Sequence, residues 1–255
     1  MKIAALYDIH GNLPALQAVL AELAEVQPDV IVVGGDIITG PMPAQTLEML
    51  TQLRTPVRSL RGNCDREVVT VYDNDPAADK LSESSRIELQ WEAKQLTREQ
   101  RDFLANLPER IEMQVEGLGN VLFCHATPHN DEDIFTALTP VEQLESIFSG
   151  ITHDLVVCGH THIQHEWQVG DVRVVNAGSV GMPYAGKTGA FWLLLSPTGY
   201  EYRWTNYDVE ATAEEIKLSG NPQAIQFAEE NVLKVPTEEE ANDFFEKFAE
   251  AKRKK

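Results

Sequence analysis

The feature that most constrains the fold is the alternation of short apolar runs with amphipathic stretches over the first 63 residues. Apolar runs at residues 2–7, 28–36 and 56–63 predict strands. The stretches between them, at residues 14–26 and 43–53, carry apolar residues at helical spacing and predict helices. This βαβαβ order predicts a parallel sheet with right-handed crossover connections.

The rest of the chain shows the same two patterns in longer blocks. Residues 64–108 are polar and helical in pattern, and strands resume at residues 110–126. The apolar runs within residues 154–207 predict a meander of strands, and residues 208–255 predict an acidic helical extension. We find no internal repeat and no linker, so we expect a single domain over residues 1–255.

The composition limits the partners and the compartment. Asp and Glu number 40 against 21 Lys and Arg, a formal charge of −19, which disfavours nucleic acid as a bulk partner. The chain has no apolar run that could span a bilayer and no secretory signal pattern, so no membrane association is expected. Cys64, Cys124 and Cys158 are odd in number and widely spaced, which favours free thiols in the cytoplasm.

Side chains that can bind metals stand just past the ends of the predicted strands. They are Asp8 and His10, Asp36, Asn63, His125, and His160 with His162. In α/β sheets, ligand sites form beyond the carboxyl ends of the strands. Glycines beside several of these residues let the backbone turn sharply and approach an ion closely. Each piece alone is weak, but the ordered set predicts one site.

This order of motifs resembles the calcineurin-like metallophosphoesterase superfamily. The motifs are D-x-H from Asp8, G-D at Asp36, G-N-x-D at Asn63, His125 alone, and G-H-x-H from His160. The chain is most similar to the small single-domain bacterial and archaeal branch. The resemblance implies an α/β fold: a four-layer α/β/β/α sandwich of two mixed sheets flanked by helices.

The resemblance also implies two divalent metal ions and a phosphate ester substrate. One ion would be held by Asp8, His10, Asp36 and His162, and the other by Asp36, Asn63, His125 and His160. Mixed imidazole, carboxylate and amide ligands suit Mn, taken first here, or Fe, Zn or Ni better than Ca or Mg. The ions would leave a net positive charge for a phosphate, and a hydroxide bound to both would attack phosphorus in line. Asp36, Asn63 and His125 are therefore also expected to be catalytic.

One position departs from the family pattern. Many relatives have a histidine after Gly-Asn, usually given a role in contacting the phosphate or protonating the leaving group, and this chain has Cys64. A thiol is a weak proton donor compared with an imidazolium. We therefore expect a preference for good leaving groups, or a proton supplied by His129 or by water. Cys64 itself is also a candidate catalytic residue, with a packing role as the alternative.

Four further residues are candidates for substrate binding. Arg61 and Arg66 flank the G-N-x-D motif and could hold phosphate oxygens, with salt bridging as the alternative. Asn12 could orient a phosphate or cap the following helix. His129 could contact the substrate or lie in a solvated loop.

The function implied by the resemblance is metal-dependent hydrolysis of a small phosphorylated substrate. A phosphodiester or nucleotide phosphoanhydride comes first, because the chain lacks the long insertions of a dedicated protein phosphatase. The alternatives are a dinucleoside-polyphosphate hydrolase, a serine/threonine-type phosphoprotein phosphatase or, outside the enzymes, a metal-binding scaffold. A homo-oligomer is also left open.

Overall fold

Two five-stranded mixed sheets form the centre of the structure, a computed structural model that describes residues 1–253. The strand order is β10-β9-β1-β2-β3 in the first sheet and β4-β5-β6-β8-β7 in the second. The strands are β1 Ile3–Leu6, β2 Val30–Gly34, β3 Val57–Leu60, β4 Arg110–Val115, β5 Gly119–Cys124, β6 Leu155–Cys158, β7 His165–Val169, β8 Val172–Asn176, β9 Ala190–Ser196 and β10 Gly199–Thr205.

Helices cover the outer faces of both sheets. They are α1 Leu13–Val26, α2 Pro43–Thr51, α3 Asn63–Tyr72, α4 Glu83–Gln95, α5 Arg98–Ala105, α6 Val141–Ile147, α7 Val209–Lys217, α8 Ala224–Phe227 and α9 Glu238–Arg253. Residues of α1 to α5 share an apolar core with the first sheet, and α6 packs on the second sheet. The two-sheet α/β prediction is therefore confirmed.

The two sheets pack against each other through the alternate side chains of their strands. In β1, Ala4 and Leu6 face the helices, whereas Ile3 and Ala5 face the second sheet. Tyr7 follows β1 on the same inner face, fully buried, and its hydroxyl donates to the carbonyl oxygen of Val157 in β6 at 2.9 Å. This packing fixes the end of β1 beside the end of β6.

The predicted meander over residues 154–207 is wrong in its connectivity. β6 pairs in parallel with both β5 and β8, and β7 is an edge strand antiparallel to β8. β9 and β10 belong to the first sheet, where β9 pairs with β1. The physical reason is burial: all four residues of β6 are buried, so it needs a partner on each side. β7 alternates polar and apolar residues and suits an edge.

The predicted C-terminal extension is helical and packs against the rest of the molecule. Ile216 of α7 and Phe227 of α8 share an apolar cluster with Met42, which lies just before α2. The buried Asn221 donates to the carbonyl oxygen of Gly40 at 3.0 Å. Residues 254 and 255 of the predicted extension lie outside the described part of the chain.

Two other sequence predictions concern the same described residues. Cys64, Cys124 and Cys158 are all free thiols, as expected from their number and spacing. Among the helices of residues 1–253, none is both long enough and apolar enough to cross a membrane.

Candidate metal centre

The predicted ligands share an unusual backbone conformation. Asp8, His10, Asp36, His160 and His162 have positive φ angles, between 49° and 69°. Within the described residues only seven non-glycine residues have positive φ, and these are five of them. A non-glycine residue in this region costs roughly 1–3 kcal/mol, and such strain persists where the surrounding structure enforces it, often at functional sites. The strand ends are thus bent to direct these side chains, at the expense of stability.

The first group of predicted ligands lies where β1 and β6 end. Asp8, His10 and His162 each offer a ligand atom, and these atoms all lie within 4.8 Å of one another. The Nε2 atom of His162 is 3.3 Å from Asp8 Oδ1 and 3.2 Å from His10 Nε2. All three side chains are buried.

The second group lies beside the first, where β2, β3, β5 and β6 end. Asp36, His125 and His160 also offer ligand atoms within 4.8 Å of one another. The Nε2 atom of His125 is 3.5 Å from Asp36 Oδ2 and 3.2 Å from Asn63 Oδ1. Asp36 Oδ2 is also 3.8 Å from the Nε2 atom of His10. Asp36 therefore reaches both groups, and we call the seven side chains together the ligand cluster.

Three imidazoles of the ligand cluster are oriented by backbone carbonyls. The Nδ1 atoms of His10, His125 and His162 lie 3.0, 2.9 and 2.7 Å from the carbonyl oxygens of Thr39, Gly34 and Met182, respectively. A carbonyl only accepts hydrogen bonds, so each Nδ1 carries the hydrogen in the neutral ring and donates it. In the neutral ring, each Nε2 then directs a lone pair into the cluster, as in histidines that bind metals.

The cluster contains buried acceptors that face other acceptors. The lone pairs of His10 Nε2 and His162 Nε2 point at each other across 3.2 Å. Asp8 Oδ1 is buried without a hydrogen-bond partner in the described structure. Buried acceptors without donors are costly, and cations among them would remove that cost. The residues present therefore fit divalent metal ions.

The charges of the cluster favour ionised carboxylates. Burial opposes ionisation of Asp36, but His125 and the other imidazoles outweigh it and lower the pKa of that carboxyl far below its ordinary value. Burial also opposes ionisation of Asp8, and His162 lowers its pKa in the same way. In return, Asp36 overcomes the effect of burial on His125 and raises the pKa of that imidazole to about 10. Without a metal, His125 therefore also carries a proton on Nε2, and a bound cation would displace that proton. Burial and the charge of His125 lower the pKa of His160 to about 4. The ionised carboxylates of Asp8 and Asp36 therefore attract cations to the cluster.

Two glycines allow the carboxylates to approach the neighbouring loops. A Cβ atom on Gly62 would collide with the carboxylate and backbone of Asp36. A Cβ atom on Gly159 would collide with the carboxylate of Asp8 and the ring of Tyr7. Glycine is required at both positions because of close packing, and this explains the glycines of the G-N-x-D and G-H-x-H motifs.

Buried polar side chains hold the loops that carry the ligands. Asp65 accepts hydrogen bonds from the backbone amides of Ile37 at 2.9 Å and Gly62 at 3.0 Å, and so ties the Asp36 loop to the Asn63 loop. Burial, followed by the charge of Asp36, raises the pKa of Asp65 to about 7. Ser179 donates to the carbonyl oxygen of Asp8 at 2.7 Å.

Two residues near the ligand cluster belong to no sequence motif and could not be predicted from the sequence. Glu92 in α4 is fully buried, and its carboxylate accepts from the amide of Gly40 at 2.7 Å. The ring of Tyr184 is stacked on that of His162. Glu92 looks like any acid of an amphipathic helix, and Tyr184 like any loop aromatic, so only their long-range contacts identify them.

Cys64 lies at the edge of the ligand cluster. Its thiol is within 4.8 Å of the ligand atoms of His10 and Asp36, and its backbone amide donates to Asp36 Oδ1 at 2.9 Å. Burial raises the pKa of the thiol well above its ordinary value, and the charge of Asp36 raises it further. The thiol therefore stays protonated and is a weak acid.

The four candidate substrate residues lie outside the ligand cluster. Arg66 pairs through Nε with Asp131 at 3.0 Å and also with Glu132, and Arg61 pairs with Glu109 at 2.7 Å. The structure thus shows the salt-bridge alternative for both arginines. Asn12, fully buried, accepts from the amide of Ala15 at 3.2 Å and caps α1. His129 is exposed, beside a small cavity of about 90 Å³ that also borders His125.

Comparison with known proteins identifies the family. The calcineurin-like phosphoesterase superfamily domain matches residues 1–196. The uncharacterized protein MJ0912 of Methanocaldococcus jannaschii is 29% identical over 239 residues, which cover 87% of this chain and 94% of that protein. Phosphodiesterase YfcE of Escherichia coli K12 is 28% identical over 203 residues, which cover 76% of this chain and 87% of that protein.

A solved structure supports the fold independently. The hypothetical protein PH1004 from Pyrococcus horikoshii OT3 superposes with a TM-score of 0.78 at 22% identity, over 89% of this chain and 97% of that one. The prediction of a phosphoric ester hydrolase is confirmed at the level of the family, because the family model covers most of the chain, the ligand cluster included. The chain belongs to the calcineurin-like phosphoesterase superfamily.

Proposed function

We propose that the chain hydrolyses phosphodiesters and uses two divalent metal ions held by the ligand cluster. Asp8, His10, Asp36 and His162 would hold one ion. Asp36, Asn63, His125 and His160 would hold the other. One observation carries this proposal. Two three-residue groups lie side by side, Asp8 with His10 and His162, and Asp36 with His125 and His160, and the ligand atoms within each group lie within 4.8 Å of one another. Asp36 Oδ2 lies within 3.8 Å of His10 in the first group and of His125 in the second.

The side chains of the cluster have distinct tasks in this proposal. Ions bound there would act as Lewis acids on the phosphoryl oxygens and lower the pKa of a bound water. The carbonyl partners of His10, His125 and His162 keep the Nε2 lone pairs directed inward. Asp65 keeps the loops of Asp36 and Asn63 in register. The chain thus supplies a preorganised site, which is the main source of catalysis in such reactions.

Two considerations favour a phosphodiester as the substrate. The relative YfcE is named a phosphodiesterase. A diester also carries less negative charge than a monoester, and here the two nearby arginines are paired with carboxylates rather than directed at the cluster. The metal ions alone would then provide the positive charge that attracts the substrate, and this charge suits a small phosphorylated molecule.

The metal and the compartment are parts of the same proposal. Manganese is the first choice, with Fe, Zn and Ni compatible with the same mixed ligands. The three free cysteines accord with a reducing cytoplasm.

The test combines metal analysis with turnover of bis(p-nitrophenyl) phosphate by manganese-treated protein. We expect about two ions per chain and clear turnover. Asp36→Asn should lose most of both, whereas Asp171→Asn, in the exposed turn between β7 and β8, should lose neither. Turnover in Asp36→Asn at the level of the unaltered chain would refute the dinuclear site. Two bound ions without turnover of any ester would favour the scaffold alternative instead.

A further inference from the structure

A cavity of about 670 Å³ opens directly beside the ligand cluster. Asn63 and His160 form part of one wall. Phe244, Phe245 and Phe248 of α9 form part of another wall, which we call the aromatic wall. A phosphate held at the cluster would therefore have its organic group within the same cavity.

The aromatic wall is exposed to an unusual degree for such large apolar side chains. Phe244 has 63% of its surface exposed and Phe248 has 46%. Their rings lie nearly parallel, with planes inclined by 14° and centroids 6.2 Å apart. Exposed apolar surface grouped at a cavity commonly marks a place where a ligand binds.

The helix that carries these rings is fixed relative to the ligand cluster. Glu246 of α9 accepts hydrogen bonds from the hydroxyls of Thr136, at 2.7 Å, and Thr139. Phe245 contacts Tyr184 with ring centroids 6.0 Å apart, and Tyr184 stacks on His162 of the cluster. The aromatic wall is therefore held in place before a ligand arrives, and this lowers the entropic cost of binding.

We propose that Phe244 and Phe248 bind a planar aromatic group of the substrate by stacking, while its phosphate lies at the ligand cluster. This inference rests on the proposed function and adds the chemistry of the organic group. Flat rings stack on aromatic side chains with a gain beyond burial of area, and aryl groups and nucleobases both have such a face. The family match ends at residue 196, so this wall belongs to a part of the chain that the family model does not cover.

The test measures binding rather than hydrolysis. Phosphonates are suitable probes because their C–P bond is not hydrolysed, so calorimetry with manganese-loaded protein reports affinity alone. We expect phenylphosphonate to bind roughly tenfold more tightly than methylphosphonate. Cyclohexylphosphonate, which is apolar but not flat, should fall between them. The methylenephosphonate analogue of adenosine 5′-monophosphate, compared with phenylphosphonate, shows whether a nucleobase or a simple aryl group fits better.

Variants assign the preference to the aromatic wall. The double variant Phe244→Ala, Phe248→Ala should lose the preference for phenylphosphonate. The double variant Phe244→Leu, Phe248→Leu keeps apolar bulk without flat rings and should bind phenyl and cyclohexyl groups equally. Leu218→Ala removes an apolar residue that is 87% exposed and does not border the cavity, and it should keep the full preference.

The failure of this inference is distinguishable from the failure of the proposed function. Equal affinities for phenyl- and methylphosphonate in a protein that binds metal and hydrolyses diesters would refute the aromatic site alone. A preference that survives in both double variants would do the same. A protein that binds neither metal nor either phosphonate would refute the proposed function, and the inference would fall with it.

Discussion

The ring of Tyr184 is stacked on the imidazole of His162, with centroids 4.8 Å apart and planes inclined by 25°. The Nδ1 atom of the same imidazole is held by the carbonyl oxygen of Met182 at 2.7 Å. The loop after β8 thus fixes His162 by a face contact and an edge contact. Residues that fix a histidine in this way determine how well it binds a metal.

Removal of the Tyr184 ring should weaken metal binding. We expect Tyr184→Ala to lower manganese affinity by about tenfold, the lower end of the range for residues that orient ligands. Tyr184→Phe keeps the stacked ring and should retain the affinity of the unaltered chain. Titration of metal-free protein with Mn²⁺ measures both, and equal affinities for the two variants would show that the stack has no such role.

A methyl group at Gly62 should disrupt the cluster without unfolding the protein. In Gly62→Ala, the new Cβ atom would collide with the carboxylate of Asp36, so we expect loss of most metal binding. Gly170→Ala is the control: Gly170 has a φ of 58°, so alanine is strained there, but its Cβ atom would meet nothing within 4 Å. The control should lose some thermal stability and keep its metal, and an equal loss of metal in both variants would contradict the account.

Replacement of Cys64 by histidine should change the preference for leaving groups. The raised pKa of the thiol makes it a poor acid, whereas an imidazolium can protonate a departing alkoxide. We expect Cys64→His to raise the rate for alkyl esters relative to aryl esters by about a hundredfold, the lower end for acid catalysis. Cys64→Ser is the matched control and should leave the ratio unchanged. An unchanged ratio in Cys64→His would support the packing role for Cys64.

Glu92 should make the free energy of unfolding depend on pH. Burial, followed by the charge of Glu88, raises the pKa of Glu92 well above its ordinary value. The folded chain therefore holds this proton more tightly than the unfolded chain. The stabilisation is complete below the unfolded pKa, about 4.3, and is lost as the pH rises through the folded pKa.

Glu92→Gln should remove that dependence while it keeps the acceptor for the amide of Gly40. We expect the free energy of unfolding of the unaltered chain to fall relative to the variant above pH 5, by at most about 1.4 kcal/mol per pH unit. Urea unfolding at a series of pH values measures the difference. Parallel curves for the two proteins would show that Glu92 is not protonated in the folded state.

The sequence was informative where the relevant contacts follow from local patterns. Each ligand follows an apolar strand, and the parallel neighbours β1 and β2 bring their carboxyl ends to one edge, so the approach of Asp8 and Asp36 could be expected. The approach of His125 could not be expected from this rule, because His125 follows β5 of the second sheet. The pairing of β9 with β1 could not be expected, because both strands are buried apolar runs and such a pattern does not identify the neighbouring strand. The contact of Glu246 with Thr136, 110 positions apart, likewise leaves no signal in local spacing.

The dinuclear site is tested most directly by an anomalous difference map from a crystal of this protein grown with Mn²⁺. We expect two peaks about 3.5–4 Å apart, both bound to Asp36. One peak should lie among Asp8, His10 and His162, and the other among Asn63, His125 and His160. A single peak, or two peaks that do not share Asp36, would contradict the account.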